Sequence, residues 1–336
     1  MSERDDMTSP VPAALTILTV TANPSLDRTL ELTAPLTRGG VQRAQAVRAE
    51  PGGKGVNVSR VVAEAGISTR AILPARGGDP LLTALDDVAL PYLAFAIEGE
   101  VRSNITVADP DGTTTKINAP GHALDATQAD RLAELVVENA RGACWVALCG
   151  SLPPGLPDTW YRTVIDGLVD LGCRVAVDTS GAPLAATVSG RVDLLKPNDE
   201  ELAEATGADP ARLVAATARG DYEPLIAAAR TLVDQTGAAI LATLGASGAM
   251  LISASGIWFA TPPPIVPRST VGAGDSALAG YLIAETRGDD EPDRLRTAVA
   301  YGSAATALAG TQPPSPDSLD LDGVEITELS GAAPRR

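Results

Sequence analysis

Residues 144–178 run CWVALCGSLPPGLPDTWYRTVIDGLVDLGCRVAVD. An apolar run, Cys144–Leu148, leads through a Gly/Pro turn into a helix-like stretch, Thr159–Leu171, and then into a second apolar run, Arg174–Asp178. Short apolar runs bounded by turn residues suit strands buried on both faces, and a helix between two of them is the crossover that parallel pairing needs. The same unit recurs on both sides. Thr16–Ala22, Arg70–Leu73, Asp193–Lys196 and Ala239–Thr243 are further strand candidates; Asn57–Ala65, Thr127–Ala140, Asp199–Thr206 and Pro224–Thr236 are helix candidates. This alternation predicts an α/β fold with a doubly wound, mostly parallel sheet flanked by helices.

Two regions break the rhythm. Asp27–Glu50 holds two polar/apolar alternating runs. Val101–Asn118 holds two β-rich runs around Asp109-Pro110-Asp111-Gly112, a hairpin signal. Half-polar alternation leaves one face wet, so residues of about 27–50 and 99–119 predict a small β-sheet lid on the core. Ala249–Ile252 and Gly256–Ala260 predict an antiparallel hairpin at the edge of the main sheet. The expected domain is 14–315, with poorly structured tails at 1–13 and 316–336.

The totals exclude several classes. The 336 residues carry a net charge of −16, which counts against nucleic-acid partners. No apolar run is long enough to span a membrane. The acidic start differs from a basic leader, so a cytoplasmic location is expected. Three cysteines in apolar runs without metal spacing predict buried thiols. One histidine, His122, excludes multi-histidine metal sites.

Ser269-Thr-Val-Gly-Ala-Gly-Asp275-Ser276 precedes the apolar run Ala277–Ala284. A glycine turn opening a helix leaves backbone N–H groups free, and with the helix dipole they form an anion site. Gly272, Ala273 and Gly274 would form it; Asp275 beside them could take a proton from an attacking hydroxyl. Taken alone, the motif is equally a turn with a capping aspartate. Pro51-Gly-Gly53-Lys54-Gly-Val-Asn57 opens another helix, with a lysine among the amides; its spacing does not fit a dinucleotide fingerprint. Asp27 follows the first strand, where α/β sheets bind ligands, and could equally sit in an Asx turn. Arg102, Asn104, Arg43 and Lys54 are candidates for a phosphate clamp. Asn198 and Glu201 fit either a capping box or a water-mediated Mg²⁺ site. Thr243-Leu-Gly245-Ala-Ser-Gly248 is a strand end and turn that could lie under a nucleotide.

Taken together, the chain resembles phosphofructokinase-B-type carbohydrate kinases of the ribokinase superfamily, from about Thr16 to Pro313. Gly-Gly-Lys-Gly-Val-Asn, Gly150-Ser-Leu-Pro-Pro-Gly155, Lys-Pro-Asn-x-x-Glu, Thr-Leu-Gly-x-x-Gly and Gly-Ala-Gly-Asp occur in family order. Asn23-Pro-Ser-Leu-Asp-Arg-Thr29 and Gly39-Gly-Val-Gln-Arg43 make it most similar to bacterial 1-phosphofructokinases. The resemblance implies ATP and Mg²⁺ as cofactors and fructose 1-phosphate as substrate, with tagatose 6-phosphate or fructose 6-phosphate as alternatives. It implies Asp275 as base and Gly272, Ala273 and Gly274 as anion hole. Asp27, Gly53, Lys54, Asn57, Arg102 and Ser151 would line the sugar-phosphate site, with Arg43 from the lid. Lys196, Asn198, Thr243, Gly245, Gly248 and Ser303 would hold ATP, and Glu201 would serve Mg²⁺. Some relatives hold a monovalent cation; Ser269, Val271, Ala305 and Gly310 match those places, but Gln312 stands where some carry arginine. Val41 stands where some 6-phosphofructokinases carry lysine, which favours the 1-phosphate. Subunits of the family often pair through the lid, so a homodimer is one expectation. Two other readings stay open: a kinase of nucleosides or unphosphorylated sugars, which the 3% aromatic content disfavours, and a non-catalytic sugar-phosphate sensor.

Overall fold

The computed structural model describes residues 17–329. Fourteen strands are found among them. They are β1 Ile17–Thr21, β2 Ser25–Leu32, β3 Ala44–Gly52, β4 Thr69–Ala75, β5 Tyr92–Ala96, β6 Arg102–Ala108, β7 Thr114–Asn118, β8 Trp145–Cys149, β9 Arg174–Asp178, β10 Leu194–Leu195, β11 Ala239–Thr243, β12 Ala249–Ile252, β13 Ile257–Thr261 and β14 Glu325–Glu328. Ten of them form one sheet in the order β14-β13-β12-β11-β10-β9-β8-β1-β4-β5. From β11 to β5 every pairing is parallel, and β12 to β14 add an antiparallel edge. The order reverses at β1, whose neighbours are β8 on one side and β4 on the other. Ligands of such sheets gather at the carboxyl ends of strands near that reversal.

Ten α-helices cover the two faces: α1 Lys54–Glu64, α2 Pro80–Asp87, α3 Ala126–Asn139, α4 Trp160–Leu168, α5 Gly181–Thr187, α6 Asp199–Thr206, α7 Pro210–Thr217, α8 Glu223–Thr236, α9 Ala273–Thr286 and α10 Glu291–Thr306. Alternate strand residues feed opposite cores. Leu18, Val20, Val146, Leu148, Val175 and Val177 pack with α3, α4, α6 and α8, whereas Ile17, Ala147, Cys149 and Ala176 pack with α1, α9 and α10. Such period-two partition, with most of these side chains fully buried, is what makes a two-sided sheet. Helix α9 is buried from Asp275 to Glu285 around its whole circumference, so a charge at either end needs a specific partner.

The small sheet forms as expected, in the order β3-β2-β6-β7, with β2 antiparallel to β3 and parallel to β6. Ser25, Asp27, Arg102 and Asn104 fall on one face because Ser25 pairs with Arg102 and Asp27 with Asn104.

Three expectations change. Residues 316–329 are not an unstructured tail: Glu325–Glu328 adds β14 to the sheet edge in register with Trp258–Thr261, and Val324 is buried. An alternating segment of four residues gains its order from that edge and from Ile326 packed against the core. The expected tail at 1–13 and the last residues, 330–336, lie outside the described residues. The cysteines are unpaired but not uniformly buried; Cys149 is buried, whereas Cys144 just outside β8 is exposed. Strand β10 is shorter than expected, because the Asp193 carboxylate is used by the Val175 N–H and Pro197 has no donor.

Candidate active site

One cavity of about 370 Å³ lies at the carboxyl ends of β10 and β11, beneath the small sheet. Its wall is built from two helix N-termini, the inner face of the small sheet, and the turns after β10 and β11.

The first helix start is α1. Its N-cap, Gly53, has φ 109° and no side-chain cap, and a Cβ there would lie 2.6 Å from Thr21 Cγ2. Only glycine fits this bend. Lys54 and Asn57 follow on the cavity side, and Lys54 Nζ donates to Asp178 Oδ1 at 2.7 Å. The second start is α9, with Gly272 as N-cap at φ 79°. The first bond of this turn runs from Ser276 N to Gly272 O at 2.8 Å, so the N–H groups of Gly274 and Asp275 have no backbone acceptor among the described residues. Lys196 Nζ would lie 3.4 Å from a Cβ on Gly274. Free amides, a glycine without side chain and a lysine ammonium thus share one cradle, a site for an anion.

Asp275 is only 7% exposed, and its Oδ2 accepts a 2.8 Å hydrogen bond from Asn57 Nδ2. Burial, and next the negative charge of Asp178, push its carboxyl up to about 6; Lys54, Asn57 and Lys196 oppose this. A carboxylate poised near neutrality in a cleft suits a general base. The capping-aspartate reading fails, since its side chain caps no N–H and instead faces Asn57.

Asp178, at the end of β9, is the residue that motif reading missed. It is fully buried, and its Oδ1 lies 2.7 Å from Lys54 Nζ and 3.3 Å from Lys196 Nζ, while Oδ2 has no partner. Burial would raise this carboxyl, but Lys196 and Lys54 outweigh it and hold it below its ordinary range. In turn burial works against the Lys54 charge, and Asp178, then Asp275 and Glu201, raise its pKa instead. Lys54 therefore stays charged. The signal was present: an acid ending an apolar parallel strand points at the ligand end of the sheet.

On the small sheet, Asp27 Oδ1 accepts from Ser25 Oγ at 2.7 Å and from Asn104 Nδ2 at 3.0 Å. Arg102 Nη1 donates to Ala119 O at 3.0 Å. Arg102 Nε, Asn104 Oδ1 and Asn57 Oδ1 are buried without partners. Unsatisfied polar atoms on a cavity wall cost free energy unless a ligand answers them. At the other end, Asn198 and Glu201 line the cavity beside Thr243 and also form the reciprocal capping box of α6. The two readings of this pair are compatible. Glu201 uses Oε2 for the Asn198 N–H. Among the described residues no group of three or more His, Cys, Asp or Glu side chains could hold a metal ion. A Mg²⁺ ion that kept waters and phosphate oxygens as ligands, with Glu201 nearby, fits this wall.

The cavity thus gathers Asp27, Gly53, Lys54, Asn57, Arg102, Lys196, Asn198, Glu201, Thr243, Gly272, Gly274 and Asp275. It does not reach the other expected residues. Ser151 is exposed and accepts from Asn23 Nδ2 at 3.3 Å. Ala273, Gly245, Gly248 and Ser303 lie off the lining, Ser303 buried on α10. Arg43 is exposed beside Ala44, which pairs with Leu32 at the far end of the ribbon from Asp27. Five residues of strand put it roughly 17 Å away from its own chain's cavity.

The model of the pfkB family carbohydrate kinases matches residues 20–318. A 1-phosphofructokinase of Rhodobacter capsulatus is 33% identical over 309 residues, covering 91% of this chain and 95% of that protein. The ATP-dependent 6-phosphofructokinase isozyme 2 of Escherichia coli is 33% identical over 306 residues, covering 88% and 94%. The crystal structure of phosphofructokinase-2 from Escherichia coli in complex with substrates and products superimposes with a TM-score of 0.80 at 32% identity, covering 90% of this chain and 97% of that one. With a ribokinase-like fold and a buried aspartate set against an anion cradle, this chain belongs to the pfkB family of carbohydrate kinases, which transfer a phosphoryl group to a sugar hydroxyl.

Proposed function

We propose that this enzyme phosphorylates fructose 1-phosphate with ATP, giving fructose 1,6-bisphosphate and ADP. One observation carries the reading: Asp275, with its carboxyl raised to about 6, stands in the first turn of α9 beside Lys54 and the free amides of the Gly272 turn. At neutral pH the carboxylate is mostly ionised yet basic enough to take the proton of the sugar C6 hydroxyl as its oxygen attacks the γ-phosphorus. The Gly274 and Asp275 amides with Lys196 balance the charge of the moving phosphoryl group. Mg²⁺, when bound with ATP, neutralises the phosphate oxygens, and Glu201 and Asn198 are the residues that would face it. Asp27, Asn104 and Asn57 supply acceptors for sugar hydroxyls, and Arg102 offers its unpaired Nε to the sugar phosphate.

Relatives named for the 1-phosphate and the 6-phosphate reaction are equally similar, so the position of the phosphate rests on this chain's own residues. Val41, 95% exposed at the far end of the small sheet, stands where some 6-phosphofructokinases carry lysine, so through the pairing inferred below it offers no cation to a 6-phosphate in a partner's site. Turnover of fructose 1-phosphate, fructose 6-phosphate and tagatose 6-phosphate with ATP and Mg²⁺ tests the reading. The highest kcat/KM is expected for fructose 1-phosphate; turnover of none would overturn the kinase assignment, and preference for another would move only the substrate.

The outer face of the small sheet carries Val47 and Ile117, both more than half exposed; Val47 pairs with Leu30 and Leu30 with Val107, and Ile117 pairs with Ile105 on the same face, two residues along. We infer that two copies pair through this face, which brings Arg43 near a partner's site. Light scattering on Val47→Asp should then give the monomer. Among the described residues no helix is long and apolar enough to cross a membrane, and the reading places the enzyme in the cytoplasm. Ser269, Val271, Ala305 and Gly310 would hold a monovalent cation behind the anion hole, a point that activity in K⁺ against Na⁺ decides.

A further inference from the structure

Behind the cavity lies a charged side chain that the reaction does not use. Arg60, on α1, is only 8% exposed. It sits one turn beyond Asn57, on the same helix face. Its Nη1 donates to Thr311 Oγ1 at 3.1 Å, and its Nη2 lies 3.8 Å from Glu50 Oε1. Burial disfavours its charge, while Glu50 and then Asp27 support it.

Arg60 and its two partners belong to three different parts of the site. Glu50 is on β3 of the small sheet, directly opposite Asp27 in the ladder. Thr311 backs the anion turn, since a Cβ on Gly272 would lie 3.9 Å from Thr311 Cγ2. The neighbouring Gly310 is pressed against the same carboxylate, with Glu50 Oε2 2.7 Å from where its Cβ would be. Arg60 itself shares a helix with Lys54 and Asn57, and Asn57 holds Asp275. A guanidinium is a rigid planar fork, so moving one partner moves the other or breaks a bond.

We propose that Arg60 is a positioning residue that couples the seating of the small sheet on the sugar phosphate to the shape of the Gly272–Asp275 turn that receives the nucleotide. The small sheet brings Glu50 with it when Asp27 and Arg102 close on a sugar. Glu50 loads Arg60, and Arg60 sets Thr311 and hence the turn. The two substrates then bind cooperatively although neither touches Arg60. Coupling of this kind is reciprocal and typically amounts to about 5- to 150-fold in affinity. The inference rests on the kinase reading above, but its test is binding rather than turnover.

The experiment measures the Kd of a non-hydrolysable ATP analogue with Mg²⁺, alone and with saturating fructose 1-phosphate. It uses the wild type, Arg60→Met and Thr311→Val. Valine keeps the methyl group against Gly272 and removes only the hydroxyl acceptor, so it decides the matter if Arg60→Met fails to fold. In the wild type the sugar phosphate should tighten the analogue by on the order of tenfold. Both variants should keep the affinity of the lone analogue within about threefold and lose most of the tightening. A wild type without tightening, or variants that retain it and lose only thermal stability, would reduce Arg60 to a structural ion pair. Absence of turnover in the wild type would instead count against the kinase reading alone.

Discussion

Two helices, α1 and α9, begin at the same cavity in the same way, yet they carry opposite charges into it. Both have a glycine N-cap at positive φ and no side-chain cap. Both aim a positive dipole end and free amides at the cavity. Helix α1 adds Lys54, which deepens the positive field. Helix α9 adds Asp275, which opposes it. A helix N-terminus ordinarily lowers a carboxyl pKa, but Asp275 is raised, so burial outweighs the dipole and the nearby lysines. On the proposed reading, one backbone device serves two tasks: both starts offer amides to anions, α1 adding a cation and α9 adding the proposed base.

The sharpest way to break this comparison is Asp275→Asn, which makes the two starts alike in lacking a base. Turnover should fall by about 10²–10⁴, or roughly 3–5 kcal/mol, with analogue binding retained. Stability should move the other way. A carboxyl raised from 3.8 to about 6 costs nothing below pH 4 and destabilises increasingly as pH rises towards and through 6. The asparagine escapes that cost, and Asn57 Nδ2 can still donate to its carbonyl. Urea unfolding at pH 8 should find the variant more stable, on the order of 2 kcal/mol. Near-normal turnover would remove Asp275 from the chemistry.

Next comes Lys54→Met, which strips the charge from the other start. A charge-assisted hydrogen bond is worth about 1.5–3 kcal/mol, so KM for the sugar phosphate or ATP should rise roughly 10- to 100-fold. Unchanged KM values would leave Lys54 with a purely structural tie to Asp178. The glycines themselves differ more quietly. Gly53→Ala meets both a strained φ, about 1–3 kcal/mol, and a 2.6 Å contact with Thr21, a further ~1–3 kcal/mol. Gly272→Ala has no such close contact and should cost only the left-handed strain, about 1–2 kcal/mol. Equal losses in denaturation would mean that the α1 bend relaxes.

Both helix starts were legible in the sequence because glycine runs before apolar helices announce their own geometry. The parallel core was legible for the same reason: Val, Ile and Leu runs of strand length between Ala/Leu-rich helices have few alternatives. Strand β14 was not, because Glu325–Glu328 has a single apolar residue, Ile326, and its backbone pairing with β13 leaves no mark in the sequence. Helices α2, α5, α7 and α10 were passed over; the first three are only seven or eight residues long. Asp27, Lys54, Asn57, Arg102 and Asp275 were found as motif residues, yet nothing local said that they share a cavity. Asp178 and Arg60 were missed because their partners sit on other elements, which no local pattern joins to them: Lys54 and Lys196 for the first, Glu50 and Thr311 for the second.

Asp178 offers the finest test, since it stands between the two helix starts and acts on both. In the wild type kcat/KM should fall on the acid side with a limb near pH 6, as Asp275 takes up its proton. Asp178→Asn removes the negative charge that helps to raise Asp275, and it frees Lys54 and Lys196 to act on Asp275 alone. Both changes favour the ionised base, so the limb should shift to lower pH. It should stay above the ordinary carboxyl value, because burial, the largest cause, is untouched. The shift separates two accounts of Asp178. If it only anchors lysines, the variant loses rate at every pH and the limb stays in place. If it also tunes the base, the limb moves acidward whatever the rate, and a profile that stays put or moves to higher pH would sink that second role.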